Sequence, residues 1–196
     1  HGDDNGLRIP PKLAPKHVVI LPFLKKDSEA EVLEYADKIA SSLRGLSYNN
    51  APIRVEIDKR DIRGGEKSWQ WVKKGIPIRI EVGPRDLKEG KLVLTRRDQD
   101  VKEKYFLTPE ELEGGIVGIL DEIQTSYFNQ AKENLDQNMN SSIKSVDEFK
   151  KFFTGKENEI HGGFVKAPWC GCEKESEALL AELKVTIRCI QFKQSG

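Results

Sequence analysis

The apolar positions of the chain follow two rhythms. From His17, HVVILPF is a short continuous apolar run ended by Pro22 and Phe23, which predicts a buried strand of a parallel or mixed sheet. Next, SEAEVLEYADKIASSLRGL sets Val32, Leu33, Ala36, Ile39, Ala40 and Leu43 at helical spacing. Ser28 with Glu31 three residues on predicts a capping box, and Gly45 predicts the stop. Two alternations of period two follow. PIRVEID sets Ile53, Val55 and Ile57 against Arg54 and Glu56, and IPIRIEVG sets Ile76, Ile78, Ile80 and Val82 against Arg79 and Glu81. Between them a Gly64-Gly65 break and EKSWQWVKKG predict a short helix stopped at Gly75. KLVLTRRD predicts another strand, paired back across a turn at Lys88-Glu89-Gly90.

Thr108-Pro109-Glu110-Glu111 opens a long helix with Pro at its first position, continuing through GGIVGILDEIQTSYFNQAKENL. Its polar end, NQAKENLDQNMNSSIKS, reads as an exposed helix end and connector. SVDEFKKFFTGKENE then predicts a helix, GGFVKAPWCGC a strand and turn, EKESEALLAELK a helix and VTIRCIQF a strand. Strands alternating with helices predict an α/β layer domain over residues 16–120, a helix end and connector over 121–145 and a small α/β unit over 146–196. The opening HGDDNGLRIPPKLAP has turn residues, carboxylates and a Pro-Pro pair but no apolar face, and reads as the end of a neighbouring fold.

Composition narrows the function. With 32 basic and 32 acidic residues the chain is balanced, which argues against a nonspecific nucleic-acid coat while leaving room for local basic patches. No apolar run approaches the roughly 18 residues of a membrane span, and no signal peptide opens the chain, so a cytoplasmic location is expected. Three cysteines, Cys170, Cys172 and Cys189, do not make a disulfide framework and read as reduced thiols. Three histidines, His1, His17 and His161, without a convincing nucleophile and base, argue against a complete small enzyme.

The stretch DKRDIRGGEKSWQWVKKGIPIRIEVGPRDLKEGKLVLTRRD carries a more specific series: Asp58-x-Arg60, Gly65-x-Lys67, Trp71, Gly75-x-Pro77, Glu81-x-Gly83-Pro84-Arg85-Asp86 and Arg96-Arg97-Asp98. In this order it resembles the anticodon-binding domain of class II aminoacyl-tRNA synthetases, most closely the prolyl-tRNA synthetase family. The opening GDDNGLRIPPKLAP resembles the end of that family's catalytic motif 3, and GGFVKAPWCGCE with TIRC resembles its C-terminal extension. The resemblance implies a mixed-sheet, three-layer α/β/α domain followed by a small α/β extension. It also implies a C-terminal fragment whose catalytic domain lies elsewhere, and which binds tRNA without making prolyl-tRNA.

From the same resemblance, Arg79, Arg85 and Asp86 are expected to read the two adjacent guanines that proline anticodons share, with Glu81 as a further acceptor or a structural ion-pair partner. Lys67, Lys73, Lys74, Arg97 and Lys102 are expected at phosphates. The family commonly carries an acid where this chain has Val72, which removes one carboxylate. Gly2, Asp3 and Gly6 would be the remnant of the ATP pocket, disordered without the catalytic sheet. Trp71 is expected to pack rather than stack on a base, and Cys189 to be a buried small hydrophobe. Cys170 and Cys172 are weak zinc candidates; with no distal pair, no zinc is expected, and His161 is weaker still as a ligand. ATP, Mg²⁺ and proline would belong to a full-length homodimer, while the fragment would be a monomer binding tRNA(Pro). A stand-alone regulatory or protein-interaction module of the same fold is the alternative.

Overall fold

The computed structural model describes residues 2–25, 27–154, 162–169 and 173–190. They fall into two compact units that divide after Gln130. In the first, β1 (Gly2–Asp3) and β2 (Gly6–Leu7) form a small hairpin, followed by β3 (Val18–Pro22), α1 (Glu29–Arg44), β4 (Ser47–Tyr48), β5 (Ala51–Pro52) and β6 (Val55–Ile57). Then come α2 (Gly64–Lys73), β7 (Ile78–Val82), α3 (Pro84–Glu89), β8 (Leu92–Arg96), β9 (Tyr105–Leu107) and α4 (Pro109–Gln137), which runs on into the second unit.

The main sheet has the order β6-β3-β7-β8-β9. β3 is parallel to both β6 and β7, whereas β8 is antiparallel to β7 and to β9. Residues i and i+2 of a strand share a face, so the register sorts the side chains. Val18 and Ile20, Ile78, Ile80 and Val82, and Leu92 and Leu94 lie on one face, packed with Val32, Ala36, Ile39 and Leu43 of α1 and Leu112, Ile116, Leu120 and Ile123 of α4. Each fully buried Ile or Leu there stabilises the fold by about 1.5–3 kcal/mol relative to exposure. On the other face Val19, Leu21, Ile76 and Trp71 make a second, smaller cluster. The result is the expected mixed-sheet α/β/α arrangement.

Several local expectations differ. Ser28 precedes α1 as its N-cap residue but its side chain caps nothing, and the helix relies on Glu29 and Glu31 in its first turn to complement the dipole. The β7–β8 connection is a short helix, α3, rather than a tight turn, begun by Pro84 and ended by Gly90 in the left-handed conformation. Gly64 begins α2 instead of breaking the chain before it.

In the second unit, β10 (Met139–Asn140) pairs in parallel with β11 (Phe164–Val165), and α5 (Val146–Phe153) and α6 (Glu173–Glu182) complete the described elements. Ser145 caps α5 by accepting the Glu148 N–H at 3.2 Å. The expected strand VTIRCIQF is not formed over residues 185–190, and its remainder lies outside the described residues. Cys189, expected to be buried, is exposed.

Candidate nucleic-acid interface

β7 brings the two ionisable residues of its alternating pattern onto the face opposite the main core. Arg79 faces Thr95 across the ladder and Glu81 faces Val93. Arg79 is only 2% exposed, and its Nε and Nη1 have no hydrogen-bond partner among the described residues. Burial pushes this guanidinium down to about 10; Glu81 opposes the shift and Arg97 adds to it. The two residues differ in depth: Arg79 is buried, and Glu81, partly exposed, accepts from Lys104 Nζ at 3.2 Å, an ion pair.

Where β7 ends, Gly83 is extended and Pro84 starts α3. The Asp86 carboxylate accepts the Gly83 N–H at 2.8 Å, which ties one of its oxygens to the turn. Arg85 points away from the fold, its side chain 89% exposed and its Nε held by Glu89 Oε1 at 3.0 Å across one helical turn. Such a pair is weak in water, so Arg85 exchanges partners readily. Glu81 thus stands on the polar face near the end of β7, and Arg85 and Asp86 follow it in the first turn of α3. Arg79 lies beneath the surface, two residues before Glu81.

Two predicted phosphate contacts have other work. Lys67 is buried, with Nζ donating to the carbonyls of Asp58 at 3.1 Å and Pro22 at 3.5 Å. Beside it Asp58 accepts from Arg60 Nη2 at 2.6 Å and Nε at 2.8 Å and from Trp71 Nε1 at 2.7 Å. The Arg60 guanidinium and the Trp71 indole hold the Asp58 carboxyl well below the usual carboxylate range. Arg97 is also buried: it grips Asp3 through Nη1 and Nη2 at 2.9 and 2.6 Å and donates through Nε to the Val72 carbonyl at 3.2 Å. Both side chains are engaged by the protein's own backbone carbonyl or carboxylate oxygens.

That fork orders the hairpin for which disorder was expected. Gly6, at φ +128°, lies so close to α2 that a Cβ there would meet the Lys73 Cα at 2.5 Å. Gly75, at φ +72°, meets the Leu7 carbonyl carbon in the same way at 2.7 Å. The hairpin of Gly2, Asp3 and Gly6 is therefore held to this unit by Arg97 at Asp3 and by the close approach of Gly6 to α2.

Of the remaining expected contacts, Lys73 and Lys102 are exposed, and the Lys74 ammonium sits 4.3 Å over the Trp71 ring. Trp71 packs on Val19, Leu21 and Ile76, and Val72 is buried. Sequence reasoning passed over Lys104 and Phe106. The alternation in KYFL was a signal, because the edge strand β9 places Phe106 on the polar face and Lys104, just before it, reaches Glu81 there. Cys170, Cys172 and His161 lie outside the described residues. Among the described residues no three His, Cys, Asp or Glu side chains cluster to hold a metal, and no helix is long and apolar enough to cross a membrane.

The profile of the anticodon binding domain matches residues 17–118, which takes in the whole main sheet, α1 to α3 and the start of α4. The chain belongs to the anticodon-binding domain family. Around this domain the similarity extends over the full length. The chain is 48% identical over 200 residues to a proline–tRNA ligase of Protochlamydia amoebophila, covering 100% of this chain and 39% of that relative. It is 44% identical to one of Bdellovibrio bacteriovorus and 42% identical to one of Thermococcus kodakarensis, in each case over 99% of this chain and 38% of the relative. The anticodon-binding chain thus spans less than two fifths of these curated relatives.

Proposed function

We propose that this chain is the C-terminal, anticodon-reading part of a proline–tRNA ligase, and that it recognises the two adjacent guanines of proline anticodons. The observation that carries the reading is the end of β7: a partly exposed carboxylate, Glu81, and a freely exposed guanidinium, Arg85, in an anticodon-binding domain similar throughout to proline–tRNA ligases. Anticodon bases are unpaired and can be splayed onto a protein surface and read on their Watson–Crick edges. A guanine edge offers N1–H and N2–H donors to a carboxylate and an O6 acceptor to an arginine. Glu81 and Arg85 supply both halves of that pattern. Asp86 contributes through the oxygen its cap leaves over, and Lys73, Lys74 and Lys102 fix the backbone. Arg79 acts from beneath, as a buried positive charge that favours electron-rich ligands on this face.

In the full-length ligase, proline would be activated with ATP and Mg²⁺ and transferred to tRNA(Pro) in the cytoplasm by a homodimer. The chain alone is a monomer without ligase activity, and no metal role is assigned to it. The test is binding to a proline-tRNA anticodon stem-loop beside one with both guanines replaced, at fixed moderate salt. The reading expects a preference of about 1–3 kcal/mol for each bidentate contact, a scale borrowed from DNA bases, and its loss in Arg85→Ala. Equal, salt-sensitive binding of both loops overturns it.

A further inference from the structure

On the edge strand β9, Phe106 is 65% exposed while Val93, its neighbour in the ladder, is only 8% exposed. The register continues inward: Phe106 faces Val93, and Val93 faces Glu81. One row across three strands thus holds a carboxylate, a buried valine and an exposed aromatic ring, spanning about 9.5 Å from the outer backbones. Lys104, two residues before Phe106 on the same face, reaches back to Glu81 at 3.2 Å. Arg79 lies two residues before Glu81 on the same face of β7, with two guanidinium nitrogens unpartnered among the described residues. A lone exposed phenylalanine needs no explanation. This one closes a row whose other end is a hydrogen-bond acceptor.

We infer that Phe106 is a stacking platform for one guanine of the anticodon, whose Watson–Crick edge is turned along the row to Glu81. The inference rests on the anticodon reading proposed above and adds a residue to it. A purine ring system fits the span between a β7 and a β9 side chain, and every base has a π-face that an aromatic side chain can hold. Glu81 then accepts from guanine N1–H and N2–H. Adenine has neither donor at those positions, so the row is selective as well as adhesive. The ammonium of Lys104 leaves Glu81 when the base enters and is free to meet the phosphate. That exchange is easy because the Lys104 side chain is 45% exposed and half-exposed ion pairs are weak.

The test uses the whole chain and the proline anticodon stem-loop with a fluorescent guanine analogue at either of the shared positions, with circular dichroism as a control for folding. At one position the analogue is quenched on binding. Phe106→Ala is expected to abolish the quenching and weaken binding about tenfold, and Phe106→Trp to restore both. If Phe106→Ala leaves quenching and affinity unchanged while the unmodified chain still prefers the two-guanine loop, the platform is overturned and the anticodon reading stands. If the unmodified chain shows no guanine preference, the reading falls and the platform with it. If Phe106→Ala changes only the sedimentation of the free chain, the ring belongs to a protein contact, which also overturns the proposal.

Discussion

On the α1 and α4 side of the sheet, Ile78, Ile80, Leu92 and Leu94 meet only apolar neighbours, while one residue along each strand, on the opposite side, stand Arg79, Glu81, Val93 and Thr95. The same backbone serves both faces. One face is close-packed and tolerates only apolar shapes. The other leaves a buried guanidinium with two nitrogens unpartnered among the described residues and a carboxylate paired with a half-exposed lysine. A stability optimum would not keep Arg79, since an unpaired charge in a dry site is costly. The contrast teaches that the fold is carried by one face, and that the second is free to hold groups whose partners come from outside.

The comparison breaks most visibly on the apolar side. Ile80→Ala should cost about 2–5 kcal/mol in chemical unfolding, with the guanine preference of the folded fraction unchanged; a loss in preference at equal folding would erase the division between faces. Acid probes the seal at the edge of that core. His17 is held down to about 4 from its ordinary 6.5, first by burial and then by the Arg54 charge. The unfolded chain therefore binds a proton at a higher pH than the native one. Stability should be full above pH 6.5 and fall by about 2–3 kcal/mol as pH drops toward 4, a slope that His17→Gln should flatten in pH-dependent unfolding.

On the polar face the signs reverse. Arg79→Met should raise stability by about 1–3 kcal/mol while reducing guanine preference, a combination that thermal unfolding and RNA binding measured together would reveal. If the variant is less stable, Arg79 has a structural partner and the contrast weakens. Asp3→Ala removes the acceptor that Arg97 grips at 2.6 and 2.9 Å and should cost about 1–2 kcal/mol, with faster proteolysis of the hairpin. Lys104→Ala should change stability by less than about 1 kcal/mol and make RNA binding less dependent on salt. A large stability loss there would mark the Glu81 pair as structural.

Much of the sheet was legible because alternation and apolar runs are physical requirements of strands with one or two covered faces. The α1, α2 and α4 spans followed from spacing and from Gly45, Gly75 and Pro109. The short helix α3 was missed because Gly-Pro and Lys-Glu-Gly carry equally good turn signals, and six residues give too little periodicity to decide. The Ser28 cap failed because its backbone, at ψ 13°, is not in the extended conformation from which an N-cap side chain reaches the helix N–H groups. The candidate residues were legible as a strand end, Glu81 to Asp86, but their depth was not. Arg79, Lys67 and Arg97 look alike in sequence to Arg85 and Lys73, yet the first three are buried and the others are exposed.

By itself the sequence determined which stretches are strands and helices, that they alternate into an α/β layer, and which residue types stand at the end of β7. Those are local matters, fixed by side-chain period and turn chemistry. Only the tertiary structure decided which charges stay in water. Lys67 reaches the carbonyls of Asp58 and Pro22, and Arg97 reaches Asp3, because distant segments bring oxygens to them. Phe106 joins Glu81 through two ladder registers that no local pattern encodes. Burial and pairing are set by what lies across the fold, and a charged residue takes its role from that neighbour.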